Sequence, residues 1–276
     1  MLIKNLLPKP SLREYVRKYQ IISWHFEASA HTPPKILAPR PEHSLAFYIK
    51  DPQYFTFLDS PKEIQYPKSI ICGVHNETIV RNCSHDFLTI KVVFQPCALY
   101  RLTGIPAHEL VTNFYDAEAV FGKELAALNE RLWSTNHIGE MLQHIEFCLE
   151  KAILSKAKDK HGIDEVANLM LGNKPLGTLN DMARMSTLSV RQFIRKFEER
   201  TGVSPKTFDR IIRFDKAYRL KNNQPDLDWL SIAILSGYYD YQHLAKDYKD
   251  FTKTTPVGFY EIDLKAPERA FGVHFG

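Results

Sequence analysis

Basic side chains are concentrated in one short stretch of the chain. Residues 184–221 contain eleven Lys or Arg residues and four Asp or Glu residues, whereas residues 1–171 contain nineteen of each. A local excess of positive charge suits a polyanion as partner. Within the stretch, Arg191 and Arg195 lie about one helical turn apart, and an arginine guanidinium matches the O6 and N7 atoms of guanine. The stretch therefore predicts contacts with nucleic-acid bases.

A second group of hydrogen-bonding side chains starts at residue 241, 52 residues after the start of the first at 189. The amide of Gln242 suits the edge of adenine, and the ammonium of Lys246 suits a phosphate oxygen. Tyr241 and His243 have groups that can contact sugar, phosphate or base. We expect this second group to contact another segment of the same nucleic acid.

The first group lies in the second half of a helix-turn-helix pattern over residues 179–202. Ser189 precedes the second helix and can accept hydrogen bonds from its first free N–H groups. Phe193 and Phe197 lie four residues apart, so they share the buried face and leave the arginines on the outer face. A short helix, a tight turn and a second helix with a basic outer face form the geometry that enters a major groove.

The same pattern recurs around the second group. Gly237 lies where the turn requires a positive φ, Asp240 caps the following helix, and Leu244 and Tyr248 anchor that helix inward. Between the two units, residues 205–222 have the apolar spacing of one amphipathic connecting helix. A rigid connector of this length would hold both recognition helices on one face of DNA, about 34 Å apart.

Many residues between about 164 and 262 match one family at fixed spacing. They are Leu179, Ala183, Ser189, Arg191, Phe193, Arg195, Phe197, Gly202, Ser204, Pro205, Phe208, Arg213, Ala217, Leu220, Ile232, Ala233, Gly237, Asp240, Leu244, Asp247, Tyr248, Lys249, Phe251, Thr255, Pro256 and Phe259. In these residues the sequence resembles the AraC/XylS family of transcription regulators. More weakly, Leu7-Pro8, Tyr15-Val16 and Trp24 resemble the start of a subgroup with a small β-rich N-terminal domain.

The resemblance implies binding to double-stranded DNA, with one recognition helix in each of two successive major grooves. The base-contacting positions that it implies are Arg191, Ile194 and Arg195 in the first helix and Tyr241, Gln242, His243, Ala245 and Lys246 in the second. Phosphate contacts are predicted for Arg184, Ser189, Lys196, Lys206 and Arg210. RNA polymerase is a partner by the same resemblance.

The match has departures that affect specific contacts. Ile194 and Ala245 cannot hydrogen-bond a base edge, so at best they pack on a thymine methyl group. Thr187 and Lys253 stand where relatives usually carry a turn glycine. These two turns therefore depart from the pattern of the family.

The sequence predicts a multi-domain α+β protein. Residues 1–155 are interpreted as a β-barrel or β-sandwich followed by helices, because short β-branched and aromatic runs at 44–50, 54–58, 69–75, 77–83 and 87–94 are separated by turn residues. Helical spacing follows at 98–103, 106–111, 117–133 and 138–154. Residues 156–163 are predicted to be a linker, 164–264 an all-α domain with two helix-turn-helix motifs, and 265–276 a tail.

The role of the N-terminal domain stays open between two alternatives. Its many aromatic residues are compatible with an apolar cavity for a small effector, and equally with a purely structural or dimerising core. The apolar stripes of the helices at 117–133 and 138–154 fit either a homodimer interface or packing on the sheets.

Other function classes lack support in the sequence. A β-barrel enzyme fused to a DNA-binding module is a third alternative, but no Ser-His-Asp order, Gly-rich phosphate loop or metal-ligand spacing favours it. We predict no catalytic residue, no cofactor and no metal, since the histidines form no His-x-His pair. No segment has the roughly 18 apolar residues of a membrane helix, so the expected location is the cytoplasm, without a membrane partner.

Overall fold

The computed structural model describes residues 1–27, 29, 31–57, 62–111 and 114–272. Within these residues the strands are β1 (Leu2–Leu6), β2 (Val16–His25), β3 (Lys35–Leu37), β4 (Ser44–Tyr48), β5 (Tyr54–Phe57), β6 (Ile64–Gln65), β7 (Ser69–Cys72), β8 (Ile79–Asn82), β9 (Asp86–Phe94) and β10 (Phe114–Asp116). The α-helices are α1 (Ala98–Thr103), α2 (Ala117–Phe121), α3 (Lys123–Ser134), α4 (Ile138–Lys156), α5 (Gly162–Leu171), α6 (Leu179–Met185), α7 (Val190–Thr201), α8 (Pro205–Asn223), α9 (Trp229–Leu235), α10 (Tyr241–Thr252) and α11 (Pro256–Asp263). The predicted strand at 54–58 ends outside the described residues.

The strands form two antiparallel sheets, with orders β1-β2-β9-β4-β7-β10 and β3-β8-β5-β6. Aromatic side chains from both sheets pack between them, and Trp24 of the first sheet stacks on Phe87 at 4.1 Å between ring centroids. Phe55 of the second sheet belongs to the same cluster. Within the described residues no strand pairing joins the sheets. The α+β prediction is confirmed, and of its two alternatives the structure shows the sandwich, not a closed barrel.

Helices α3 and α4 cover the other face of the larger sheet. Leu125 and Leu128 of α3 and Ile145 and Leu149 of α4 are buried against Leu45 and its neighbours on β4 and β9. The prediction of one helix over 117–133 is wrong, because Gly122 adopts φ 78° and ψ −154° and separates α2 from α3. Such a backbone conformation interrupts the helical hydrogen-bond series.

The C-terminal helices pack around α8. Phe208, near the start of α8, meets Phe197 of α7 with 5.7 Å between ring centroids. Two turns further along, Phe214 meets Tyr248 of α10 at 4.7 Å and Phe251 at 5.3 Å. One helix therefore supports both recognition helices, as the connector pattern predicts.

The two halves of the chain share a closely packed interface. Cys97 and Val74 belong to the same buried cluster as the helices of the C-terminal half. The backbone also approaches closely: a Cβ placed on Gly202 would lie 2.8 Å from the carbonyl oxygen of Ala107. The Thr78 hydroxyl donates to the carbonyl oxygen of Phe251 at 2.9 Å.

Buried ion pairs cross the same interface. Lys35 of β3 donates to Asp263 at 3.1 Å and to Glu268. Glu42 pairs with Arg17 at 2.7 Å and lies 3.7 Å from Arg219 of α8. Burial alone would raise the pKa of Glu42, but the neighbouring cations, Lys91 and Arg17 first, hold it well below its usual range.

The segments predicted as linker and tail are partly ordered secondary structure. The range 156–163 contains the last residue of α4 and the first residues of α5. In the range 265–276, residues Pro267–Phe271 form a 3-10 helix with Pro267 and Glu268 buried, and residues 273–276 lie outside the described part of the chain. None of the described helices is both long enough and apolar enough to cross a membrane.

Replacing Gly202 tests the interface against a matched control. Gly202 and Gly237 have φ of 90° and 89°, so alanine at either costs about 1–2 kcal/mol for the left-handed backbone. Only at Gly202 does the new Cβ also collide with backbone, since its nearest neighbour at Gly237 lies at 3.5 Å. We expect Gly202→Ala to lower the urea midpoint of the full chain clearly more than Gly237→Ala; equal losses would contradict the close docking.

Candidate nucleic-acid interface

The first recognition helix, α7, begins with a complete capping box. The Ser189 hydroxyl accepts from the N–H of Gln192 at 3.3 Å, and the Gln192 side chain accepts from the Ser189 N–H at 3.1 Å. Phe193 and Phe197 are fully buried. This arrangement fixes both the start and the rotation of α7 about its axis.

The predicted base contacts of α7 lie on its solvent face. Arg191 and Arg195 are exposed, and among the described residues neither makes a hydrogen bond or an ion pair. Ile194 is half-buried and packs against the core. The guanidinium donors of the two arginines are therefore available to a ligand in the form that base recognition requires.

The residues predicted to contact phosphate near α7 differ in their exposure and in whether another side chain already pairs with them. Lys206 is exposed and Lys196 is half-buried. Arg184 is exposed and pairs with Asp181, whose pKa is lowered to about 2 by hydrogen bonds from Thr178, first from its hydroxyl, and then from Arg184. Ser189 uses its side chain in the capping box.

The turn before α7 contains a left-handed residue that is not glycine. Thr187 has φ 56°, and its hydroxyl donates to the Ser186 carbonyl at 2.7 Å. Lys253, after α10, likewise has φ 60°. Both positions therefore keep the backbone conformation of a turn glycine despite their side chains, and a β-branched residue there is strained.

The second recognition helix, α10, presents a mixed polar face. Asp240 caps it by accepting from the His243 N–H at 2.7 Å. Gln242 and Lys246 are exposed, whereas Tyr241 is half-buried and packs against the core. The ring of His243 lies edge-on to Tyr238 with 5.1 Å between centroids. Ala245 is half-buried. The exposed donors thus project from the first two turns of α10.

Arg210 of α8 has a role that sequence reasoning missed. Its Nε donates to Asp247 of α10 at 2.9 Å, and its Nη2 donates to Asp250 at 2.5 Å. Tyr238 also donates to Asp247, at 3.1 Å. The side chain predicted to contact phosphate is therefore already engaged in orienting α10. Asp247 belongs to the family-like residues and was the available signal for this pairing.

A second buried pair, also absent from the sequence reasoning, orients α7. Arg200 at the end of α7 donates to both carboxylate oxygens of Asp164 on α5, at 2.7 Å and 2.9 Å. The Tyr100 hydroxyl from the N-terminal half donates to Glu199 at 2.7 Å. The C-terminal end of α7 is thus held from two sides, while its exposed arginines lie nearer its start.

Comparison with known protein families gives a match to the region of the two recognition helices. A family model described as a helix-turn-helix domain matches residues 182–261, which contain both recognition helices. The C-terminal region is an AraC-type helix-turn-helix domain. A second model, a domain of unknown function (DUF6597), matches residues 4–116. The AraC-type domain and the N-terminal sandwich thus correspond to separate family models.

One curated relative is a regulator of the helix-turn-helix type. The chain is 28% identical over 109 residues to an uncharacterized HTH-type transcriptional regulator of Haemophilus influenzae, a match that covers 39% of this chain and 36% of that protein. The match therefore spans about a third of that relative's length.

Solved structures of one protein resemble this fold. ToxT from Vibrio cholerae O395 has a TM-score of 0.49 at 11% identity, covering 88% of this chain and 97% of that chain. ToxT from strain SCE256 with bound unsaturated fatty acid has a TM-score of 0.46 at 11% identity, covering 94% and 98%. The assignment of the AraC-type domain rests on the family-model match to residues 182–261.

The strained turn before α7 makes a stability prediction. Thr187→Gly removes a left-handed penalty of about 1–2 kcal/mol and adds about 0.5–1 kcal/mol of backbone entropy cost, so we expect a net gain of up to about 1.5 kcal/mol. Thr178→Gly, at the ordinary N-cap of α6, should instead lose a few tenths of a kcal/mol. Thermal denaturation followed by circular dichroism compares the two; a lower midpoint for Thr187→Gly would show that the turn is unstrained.

Proposed function

We propose that this chain is a sequence-specific, DNA-binding transcription regulator that places α7 and α10 in successive major grooves. The observation that carries the proposal is the set of exposed side chains on these two helices without partners in the described structure: Arg191, Arg195, Gln242 and Lys246. Arginine to guanine and glutamine to adenine are the pairings that such a face supports. His243 and Tyr241 complete it at the start of α10, with Ile194 and Ala245 as apolar contacts to thymine.

The shared support from α8 favours simultaneous binding of both helices. The core contacts at Phe208 and Phe214 and the Arg210–Asp247 pair hold α7 and α10 in one arrangement. Two helices fixed in this way read two half-sites at one spacing, about one helical turn of DNA. We assign phosphate contacts to Arg184, Lys196 and Lys206, and the N-terminus of α7 at Ser189 to a backbone phosphate. Arg210 acts from behind, by positioning α10.

For the N-terminal half, residues 1–155, we propose a sensory role. Its support is a cavity of about 120 Å³ between the sheets, together with the ion pairs that join the cavity walls to the C-terminal half. Lys35 pairs with Asp263, and Glu42 lies close to Arg219. A change in the position or charge of Lys35 or Glu42 would therefore act directly on a residue of the C-terminal half. The linker at 156–163 then marks the functional boundary between the sensory and DNA-binding parts.

Self-association is a second candidate role of the N-terminal half. It is favoured by the outer face of α4, where Phe147 is 67% exposed and Leu154 is 89% exposed. Large apolar residues on an outer helix face fit a homodimer contact. As a regulator the protein would act in the cytoplasm on promoter DNA, with RNA polymerase as its downstream partner.

The DNA contacts can be separated by their dependence on sequence and on salt. Using the full chain and a randomised duplex pool, we expect one enriched motif spanning about two helical turns. Arg195→Ala should relax one position by about 1–3 kcal/mol. Lys206→Ala should weaken all sequences alike and reduce the log–log salt slope by about 0.9. Arg131→Ala removes an exposed arginine from the N-terminal half and should change neither quantity.

Three results would count against this proposal. A motif confined to a single major groove would mean that α10 does not read bases. Unchanged sequence preference in Arg195→Ala, with lower affinity throughout, would make Arg195 a phosphate contact. A folded chain that enriches no motif at low salt would contradict the proposed function itself.

A further inference from the structure

The cavity of the N-terminal half combines an apolar wall with buried charge. Rings of Trp24, Tyr48 and Tyr66 line it on one side, and the charged side chains on its walls comprise four cations and two carboxylates: Lys35, Arg40, Arg81, Lys91, Glu42 and Glu268. Four of these six side chains are buried, and Arg40 and Lys91 are half-buried. A buried charge is costly unless an opposite charge compensates it.

Three of the four cations have carboxylate partners. Lys35 pairs with Asp263 and Glu268, and Lys91 pairs with Glu42 at 3.1 Å. Arg40 lies 3.9 Å from Asp215. The two carboxylates of the wall are thus already engaged with Lys35 and Lys91. Among the four cations, Arg81 is the one without a carboxylate partner in the described residues.

Arg81 is a buried cation without an anionic partner in the described part of the chain. It is 7% exposed, and its Nε has no hydrogen-bond acceptor there. Its guanidinium lies 4.7 Å from the ring centroid of Phe87 and 5.9 Å from that of Trp24. Hydrogen bonds also link Arg81 to the phenol of Tyr48 and the thiol of Cys83. Aromatic rings and neutral acceptors stabilise a cation only partly, so the Nε remains available to a stronger, anionic acceptor.

The polar groups next to Arg81 are neutral. Burial raises the pKa of Tyr48 and of Cys83 above their usual values, although Arg81 opposes the change. The phenol and the thiol therefore stay protonated at neutral pH. His75, which also lines the cavity, is uncharged as well, because burial lowers its pKa to about 4. Within the residues that the structure describes, the groups next to Arg81 thus supply no anion.

The size of the cavity limits the anion. A volume of about 120 Å³ is close to that of an engineered cavity of about 150 Å³ that holds one benzene ring. A long chain or a sugar phosphate is too large for it. We propose that the cavity binds a small apolar carboxylate, whose carboxylate pairs with the Arg81 guanidinium and whose ring-sized apolar part lies among Trp24, Tyr48 and Tyr66.

Such a ligand would be linked to the DNA-binding half through the cavity wall. Lys35 and Arg81 occupy directly opposite positions of strands β3 and β8, so a carboxylate on Arg81 enters the field of Lys35 and competes with Glu268. Glu268 belongs to the 3-10 helix that follows α11. This regulatory meaning rests on the proposed function; the binding itself does not.

The test is titration calorimetry of the full chain with benzoate and with benzamide, which have nearly the same size and differ in charge. We expect benzoate to bind with a dissociation constant below about 1 mM and at least about tenfold more tightly than benzamide. Arg81→Met should remove that preference. Because this substitution deletes an uncompensated charge, its thermal midpoint should not fall. Arg131→Met serves as the matched control and should bind like the wild type.

A second variant keeps the test decisive if Arg81→Met does not fold. Ala46 lies on the cavity wall, and Ala46→Leu fills the space while it keeps Arg81, so benzoate binding should be lost. Equal binding of the two compounds by the wild type, no benzoate binding, or a preference retained in Arg81→Met would overturn the inference.

The same preparations also separate this inference from the proposed function. Arg81-dependent benzoate binding by a chain that selects no DNA motif would support the carboxylate site and contradict the regulator. Motif selection without benzoate binding would do the reverse. Benzoate binding that leaves DNA affinity unchanged would support the site and contradict its sensory role.

Discussion

The apolar contacts of α8 are the constraint on which the arrangement of the DNA-binding half depends. Phe208 packs against α7 and Phe214 packs against α10, so one helix carries the cores of both helix-turn-helix units. Two separately folded motifs would sample many relative orientations, and they would lose this orientational entropy when they bind DNA. With a shared core, the relative orientation is already fixed when the protein folds. The pair of Arg210 with Asp247 adds a directional contact that sets the rotation of α10.

The interface between the halves depends on other interactions than the apolar contacts of α8. It contains little free volume at Gly202, and it concentrates buried ion pairs at Lys35, Glu42 and Asp263. Pairs of this kind add little net stability compared with apolar packing, but losing one partner is costly because the other charge remains buried. Such an interface is therefore sensitive to a change in the charge of the neighbouring cavity. This property suits a device that passes a binding signal from one half to the other.

Local sequence signals predicted the helical half well and the sandwich less completely. Capping residues such as Ser189 and Asp240 and the four-residue spacing of Phe193 and Phe197 are local, so helix starts and buried faces followed from them. Strands such as β1 and β3 were not assigned, because their pairing partners lie far along the chain. The strand β3, for example, is three residues long and depends on β8 for its hydrogen bonds.

The sequence by itself determined the two helix-turn-helix units, the exposed positions of Arg191, Arg195, Gln242 and Lys246, and the α+β composition, because each of these depends on periodicity and capping within a few residues. Only the tertiary structure decided that Arg210 supports α10, that Glu268 near the C-terminus reaches Lys35, and that Arg81 lies on a cavity wall without a carboxylate partner in the described part of the chain. These facts depend on which distant charges become neighbours after burial. The order of charges along the chain does not determine the distances between them in the folded protein. The electrostatic free energy of the same arginine is small in water and large in a desolvated site.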